Sequence, residues 1–362
     1  VKKSFFSLLL LSSLVLLSGT RRTAAQDDSR IRVDVVLVQL NVAVTDRKGN
    51  YVTGLKPEDF VITEDKISEK ISTFEEGNEP TKRLVLSGPD GKMISQTVVP
   101  ESVTASGSEG VTRPTIGQAT TGANVFILFD TSNYMYRGFV FAQDSIADFI
   151  RSLEGVGRVA FYSYSRDLSR AVPLTAERPT VLRGVRSTVA GDDAALYNSL
   201  LLTVKDAARL TGRKAIVVFS NGPDNASLVP PEDVAELAQS TGTIIYMIST
   251  RDAQAEPIST AVFERMSKAT GGKAYFSKSW KDEKDAFASI RDDLAHLYSL
   301  SYYPQPNPNH GWRSISVKLV GEAAQKYRIR TRDGYRVLKQ AQVAAGGPPP
   351  DAAASSGEAP NQ

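Results

Sequence analysis

The chain has no cysteine and two histidines, His296 and His310, in 362 residues. Without thiols there is no disulfide framework, no zinc–thiolate site, no cysteine nucleophile and no lipid-bearing cysteine. Two histidines leave a histidine relay two candidates, and neither follows a nucleophile-elbow pattern. An excess of either charge is also missing. The formal net charge is +3, but Lys2, Lys3, Arg21 and Arg22 all precede the first acid. Leaving those four out of the 43 basic residues sets 39 against 40 acidic ones. The remainder is therefore close to neutral and lacks the basic character that nucleic acid or an anionic membrane calls for. The glycine turns "EGVGR" and "TGGK" lack the spacing of a phosphate loop or a dinucleotide fingerprint.

What is present is enough apolar material for a full core, 41% of the residues. The longest apolar stretch, "FFSLLLLSSLVLL", is short of the roughly 20 residues a spanning helix needs. It follows two lysines and precedes small residues, the pattern of an export signal covering residues 1–25. Export without cysteine suggests a protein of the bacterial envelope, periplasmic or at the cell surface, with no spanning segment in the mature chain.

From residue 26 to 78 the pattern is β. In "RVDVVLVQLNVAVTD" Val36, Val38, Leu40, Val42 and Val44 share one face, which reads as the buried one. "DRKGN" is a hairpin turn with Gly49 where a positive φ is needed. "GLKPEDFVITEDKISEKISTFEE" gives a turn around Pro57 and two further short strands. Residues 79–121 are rich in Gly, Ser and Thr and read as a linker, with one hairpin pairing Arg83–Leu86 with Met93–Val98.

Residues 122–297 alternate strand and helix. "VFILF", "AIVVFS" and "IIYMIS" are apolar on both faces, as strands inside a covered parallel sheet are. Three stripes at helical spacing accompany them: Ala142, Ile146, Phe149, Ile150 and Leu153; Leu196, Leu200, Val204 and Ala207; Phe287, Ile290, Leu294 and Leu297. "RVAFYSYSRDLSRAVPL" reads as two tightly joined strands. The fold class is α/β, a doubly wound and mostly parallel sheet, with a small β-rich domain made from the flanks. Residues 298–338 return to β and are expected to pack with 26–78. Residues 339–362 read as a disordered tail.

The stretch "VFILFDTSNYMY" places Asp130 at the end of an apolar strand and Ser132 two places on. In an open α/β sheet, ligands bind beyond the carboxyl ends of the strands where strand order reverses. Asn221 ends "AIVVFSN", and "GDDAALY" opens the next helix, so the three could face one crevice. These segments resemble the von Willebrand factor A family, whose metal-ion-dependent adhesion site uses Asp-x-Ser-x-Ser, then Thr, then Asp, on three loops. The match is most specific outside the site: "VTDRKGNYVTGLKPEDFVITED" and "LYSLSYYPQPNPNHGWRSISVKL" resemble the flanks of exported acidobacterial proteins of this kind. The resemblance implies a binding module rather than an enzyme. It also implies metal positions at Asp130, Ser132, Tyr134, Ala194 and Asn221, of which the last three depart from the family residues.

Magnesium demands six oxygens near 2.0–2.1 Å in near-ideal geometry. A tyrosine hydroxyl lies a full ring beyond Cβ, Ala194 offers no oxygen, and Asn221 offers no charge. The site therefore reads as degenerate and without a cofactor. The open alternative is rescue by Asp192, Asp193 or Asp224, which Ca²⁺ would tolerate better than Mg²⁺. The functional expectation is an exported, non-enzymatic adhesion or scaffold protein that binds a protein through Tyr134 and Tyr136. The alternatives are a purely structural module and, from the α/β sheet alone, a hydrolase. Export makes a prediction: with cleavage near Ala25, N-terminal sequencing of the mature protein should begin near Gln26, and an uncut product held in the inner membrane would contradict it.

Overall fold

The computed structural model describes residues 37–87, 92–97, 122–249, 257–321 and 326–337. The expected export signal, much of the expected linker and the expected tail lie outside these. In chain order the strands are β1 (Val38–Thr45), β2 (Phe60–Glu64), β3 (Ile67–Glu69), β4 (Ile71–Glu76), β5 (Lys82–Ser87), β6 (Lys92–Thr97), β7 (Asn124–Asp130), β8 (Arg158–Tyr164) and β9 (Leu168–Thr175). They continue with β10 (Lys214–Ser220), β11 (Thr243–Ser249), β12 (Ala274–Phe276), β13 (Tyr298–Tyr302), β14 (Trp312–Leu319), β15 (Arg328–Arg330) and β16 (Gly334–Arg336). The helices are α1 (Phe139–Ser152), α2 (Arg178–Arg186), α3 (Leu196–Ala208), α4 (Pro231–Ser240), α5 (Pro257–Thr270) and α6 (Trp280–His296).

The central sheet runs β12-β11-β10-β7-β8-β9 and is parallel except for the β8–β9 hairpin. Alternate residues of β7 serve the two faces. Val125, Ile127 and Phe129 pack with α1, α2 and α6, while Phe126 and Leu128 pack with α3, α4 and α5. All three helical stripes are buried. Helices α2, α4 and α5 escape the periodicity reading. The first two are short, and both have proline in the first turn, where its missing N–H costs nothing.

The flanks build two antiparallel sheets, β15-β1-β13-β4-β5-β6 and β16-β14-β2-β3. They share a core in which Phe60, Phe74 and Tyr298 lie with ring centroids 5.3–6.1 Å apart. Segment 55–76 gives three strands rather than two. The hairpin in the linker pairs Arg83–Leu86 with Met93–Gln96 and extends the larger sheet through Thr73 and Arg83. Gly49 has φ +91°, which an L side chain resists. On β1 the face of Val38, Leu40, Val42 and Val44 is buried, but so are Asn41 and Ala43 opposite. That second face lies against the α/β layers: Ala43 joins their core, and Asn41 Nδ2 reaches the Gly242 carbonyl at 3.5 Å.

Two buried ion pairs fasten the layers. Arg213 lies 2.8 Å from Glu75 on β4 and donates to the Leu294 carbonyl at 2.9 Å. Its Nε faces Glu75 without hydrogen-bond alignment, so that contact is Coulombic. The stronger clamp is Asp293 of α6, fully buried. It accepts from Tyr51 and Tyr246 hydroxyls at 2.6 Å each, and from Arg330 of β15 at 2.6 Å. Arg330 also donates to the Gly271 carbonyl. Burial opposes ionisation of Asp293. Arg330, then Lys273 and the two tyrosines, outweigh it and hold the carboxyl below its ordinary value. A depressed folded-state value means the clamp contributes stability above the unfolded value of ~4 and loses it as pH falls further. Arg330→Ala strands a buried charge and should cost about 3–5 kcal/mol in urea unfolding at pH 7. Asp293→Asn placed on top of it should restore part of the loss. A single variant within 1 kcal/mol (about fivefold) of wild type would show the clamp to be incidental.

Candidate functional site at the carboxyl edge of the central sheet

Strand order reverses between β7 and β10, which are neighbours although β8 and β9 intervene in sequence. Asp130 closes β7 and Asn221 follows β10 directly, so the two stand at the reversal point. Three loops meet there: 131–138, 187–195 and 221–230. Gly191 donates to the Thr131 carbonyl at 2.7 Å, and Asn133 donates to that of Asp192 at 2.8 Å. A Cβ on Gly191 would fall 2.4 Å from Ser165 Oγ, so this approach requires glycine. The third loop is joined by Asn225. Its side-chain oxygen accepts from Ala194 N–H at 2.8 Å, and its amide reaches Tyr134 Oη at 3.5 Å and Asp193 Oδ1 at 3.4 Å.

Asp130 is fully buried and works as an internal acceptor. It takes Ser132 N–H at 2.9 Å and Ser220 Oγ at 2.8 Å, while the Tyr164 hydroxyl donates to Ser220 at 3.1 Å. Burial pushes the Asp130 carboxyl up, and these hydrogen bonds offset only part of that. Ser132 Oγ lies beside the carboxylate without an aligned hydrogen bond. It and Asn221 Oδ1 are buried and have no partner.

Of the acids that might replace missing ligands, Asp224 and Asp193 are otherwise engaged. Asp224 caps the start of α3, accepting Tyr197 N–H at 3.0 Å, and closes its own turn through Ser227 N–H at 2.9 Å. Asp193 faces Asn225 and Arg166, the latter at 3.8 Å. Asp192 is exposed, and it is its carbonyl that holds the neighbouring loop. Of the two histidines, His296 stacks on Tyr51 at 5.1 Å and contacts the Asp292 carbonyl through Nδ1, and His310 is exposed.

Residues 124–289 match the family model for the von Willebrand factor type A domain. The chain carries an A domain. No curated protein matches it. Among solved structures, the A domain is similar to a conserved hypothetical protein, BatB, from Bacteroides thetaiotaomicron, at 16% identity and TM-score 0.41. That match covers 48% of this chain and 98% of the other. The von Willebrand factor domain of the type V pili tip protein Mfa5 from Porphyromonas gingivalis matches at 12% identity and TM-score 0.42, over 48% and 95% of the two chains. A von Willebrand factor type A protein from Catenulispora acidiphila matches at 11% identity and TM-score 0.43, over 77% and 74%.

Tested as a magnesium site, the A domain's residues fall short. One carboxylate, one hydroxyl and one neutral amide oxygen face the edge from two loops, and the third presents the buried methyl of Ala194. Among the described residues no group of three acids or histidines could hold a metal ion. The residues present do not fit a hard dication that demands six close oxygens.

The edge has a second character that the motif does not reveal. Tyr136 is 73% exposed, Phe141 66%, Val140 62% and Trp280 61%, with Tyr134 at 41%. Tyr134, Phe141 and Trp280 line one cavity. Sequence reasoning found Tyr134 and Tyr136 but not the others. A signal existed for Phe141, which falls on the helical face of Asp144 and Asp148 rather than on the apolar stripe.

Proposed function

We propose that the A domain binds another protein through this edge, without enzymatic activity and without a bridging metal ion. The observation that carries the reading is the set of large apolar side chains left in solvent around one cavity at the strand-reversal edge. Exposed apolar residues scattered singly need no explanation, but a contiguous group is costly to leave in water and marks an interaction surface. Aromatic residues also supply much of the binding energy where interfaces are measured. The loops beneath are cross-tied by backbone hydrogen bonds, so the surface is held in advance rather than ordered on binding. In place of an ion shared with the partner, Tyr134 and Tyr136 offer ring area and hydroxyls. Export to the bacterial envelope fits this role. Among the described residues no helix is long and apolar enough to cross a membrane.

A photoreactive residue at position 136, installed in the native host, should crosslink a discrete partner, whereas one at the exposed Glu264 on α5 should not. Tyr136→Ala and Phe141→Ala should each weaken binding of that partner at least ~tenfold, as truncation of central aromatic contacts does. Assembly indifferent to both substitutions would favour the structural-module alternative.

A further inference from the structure

We propose that the cavity between residues 134–141 and the start of α6 receives one cationic side chain, a lysine or arginine, of the partner protein. On the reading of this edge as a protein-binding face, on which the proposal rests, the cavity selects what enters it. Its volume is about 230 Å³, far more than the ~30 Å³ share of a single water. Tyr134, Met135, Phe141, Phe219 and Trp280 give it apolar walls.

Two polar groups in those walls are unmet. Ser277 is 2% exposed, and its hydroxyl, buried, has no partner. Glu283, half-buried one turn into α6, accepts no hydrogen bond at its carboxylate and pairs with no cation among the described residues. Of the lysines nearby, Lys278 lines the cavity without pairing with Glu283, and Lys284 is paired elsewhere. Lys284 lies 3.3 Å from Asp148 and over the Trp280 ring at 5.2 Å. The backbone N–H of Lys278 goes to Asp282, and its charge lowers the Asp282 carboxyl. The helix N-terminus is already capped by Ser279 and Asp282, so it adds no call for an anion.

This combination points to one ligand chemistry. A lysine or arginine head carries donors only, which suits a carboxylate acceptor and a hydroxyl that can turn its lone pairs to it. Its methylene stem lies well along apolar walls, and an aromatic rim attracts the charge. An anionic group would meet the Glu283 carboxylate. A neutral apolar group would bury both unmet polar atoms without partners. With no cation paired to it, Glu283 has its carboxyl pushed up to about 7 by burial and, to a lesser degree, by Asp282. A seated cation would draw it back down.

The test titrates the full chain with N-acetyl-arginine amide and with its neutral isostere N-acetyl-citrulline amide, reading the indole N–H signal of Trp280 by NMR. The arginine probe should give a saturable shift in the millimolar range expected of a fragment. The citrulline probe should bind at least ~tenfold more weakly, since a charged donor to a carboxylate is the stronger hydrogen bond. Glu283→Gln should lower arginine affinity about tenfold, and Ser277→Ala by less. Equal binding of the two probes, no saturable shift up to roughly 10 mM, or an affinity indifferent to Glu283→Gln would overturn the proposal. The probe comparison needs no variant, so it decides even if a substitution unfolds the chain. Crosslinking from position 136 that persists while the arginine probe fails would leave the face standing and remove the cavity from it. Glu283-dependent probe binding without any crosslink would count against the face alone.

Discussion

A buried carboxylate on α6 sets the frame on which everything at the far edge depends. Asp293 lies near the end of the last helix, where Arg330 of the flanking sheet and the hydroxyls of Tyr51 and Tyr246 converge on it. A lone buried charge of this kind is prohibitive, and an imperfectly paired one is still costly. Here the carboxylate is met by three donors from three elements: the hairpin after β1, the central strand β11, and β15. Satisfying it therefore requires the α/β layers and the flanking β sheets to be in place together. Arg213, between Glu75 and the carbonyl of Leu294, the residue after Asp293, repeats the arrangement. The opposite end of the same helix carries Ser279, Trp280 and Glu283, which form one wall of the edge cavity. A rigid helix clamped at its C-terminus is thus what fixes that wall against residues 134–141.

At the carboxyl edge, Asp130 and Asp224 are engaged within the scaffold. Asp130 accepts from a serine hydroxyl and a backbone N–H, and Asp224 from three backbone N–H groups. Carboxylates engaged in this way hold loops rather than ions. What the edge offers to solvent instead is aromatic area and one half-buried acid without a partner. On the function proposed for this edge, these suit recognition by shape, ring faces and a single charge, without a shared dication.

Much of this was legible in the sequence, and the reasons differ by element. The strands apolar on both faces declared a covered parallel sheet because only burial on two sides tolerates such runs. Ala142 to Leu153, Leu196 to Ala207 and Phe287 to Leu297 declared their helices because each buries a continuous stripe. Helices α2 and α4 did not, being short and opened by prolines that read as turns. The buried second face of β1 was hidden because Gln39 and Asn41 are polar. Asn41 pays for its burial with a contact to Gly242, which no periodicity reveals. At the site, the substitutions Tyr134, Ala194 and Asn221 were visible as departures, but not that Asp224 caps a helix from a different loop. Trp280 and Glu283 sit in the charged run "SKSWKDEKD" and gave no sign that they border a cavity beside Tyr134, 146 residues earlier in the case of Trp280. Contacts of that sequence separation belong to topology and not to local pattern.

The central claim is that this edge has given up its metal ion, and calorimetric titration of Mg²⁺ into the wild-type protein tests it most directly. The comparison is the triple variant Tyr134→Ser, Ala194→Thr and Asn221→Asp, which restores two hydroxyls and one charge on the same three loops. The account predicts no saturable heat for the wild type at millimolar Mg²⁺ and a stoichiometric one for the variant, since only there does the donor set approach what the ion requires. Stoichiometric binding by the wild type that disappears in Asp130→Ala would contradict it.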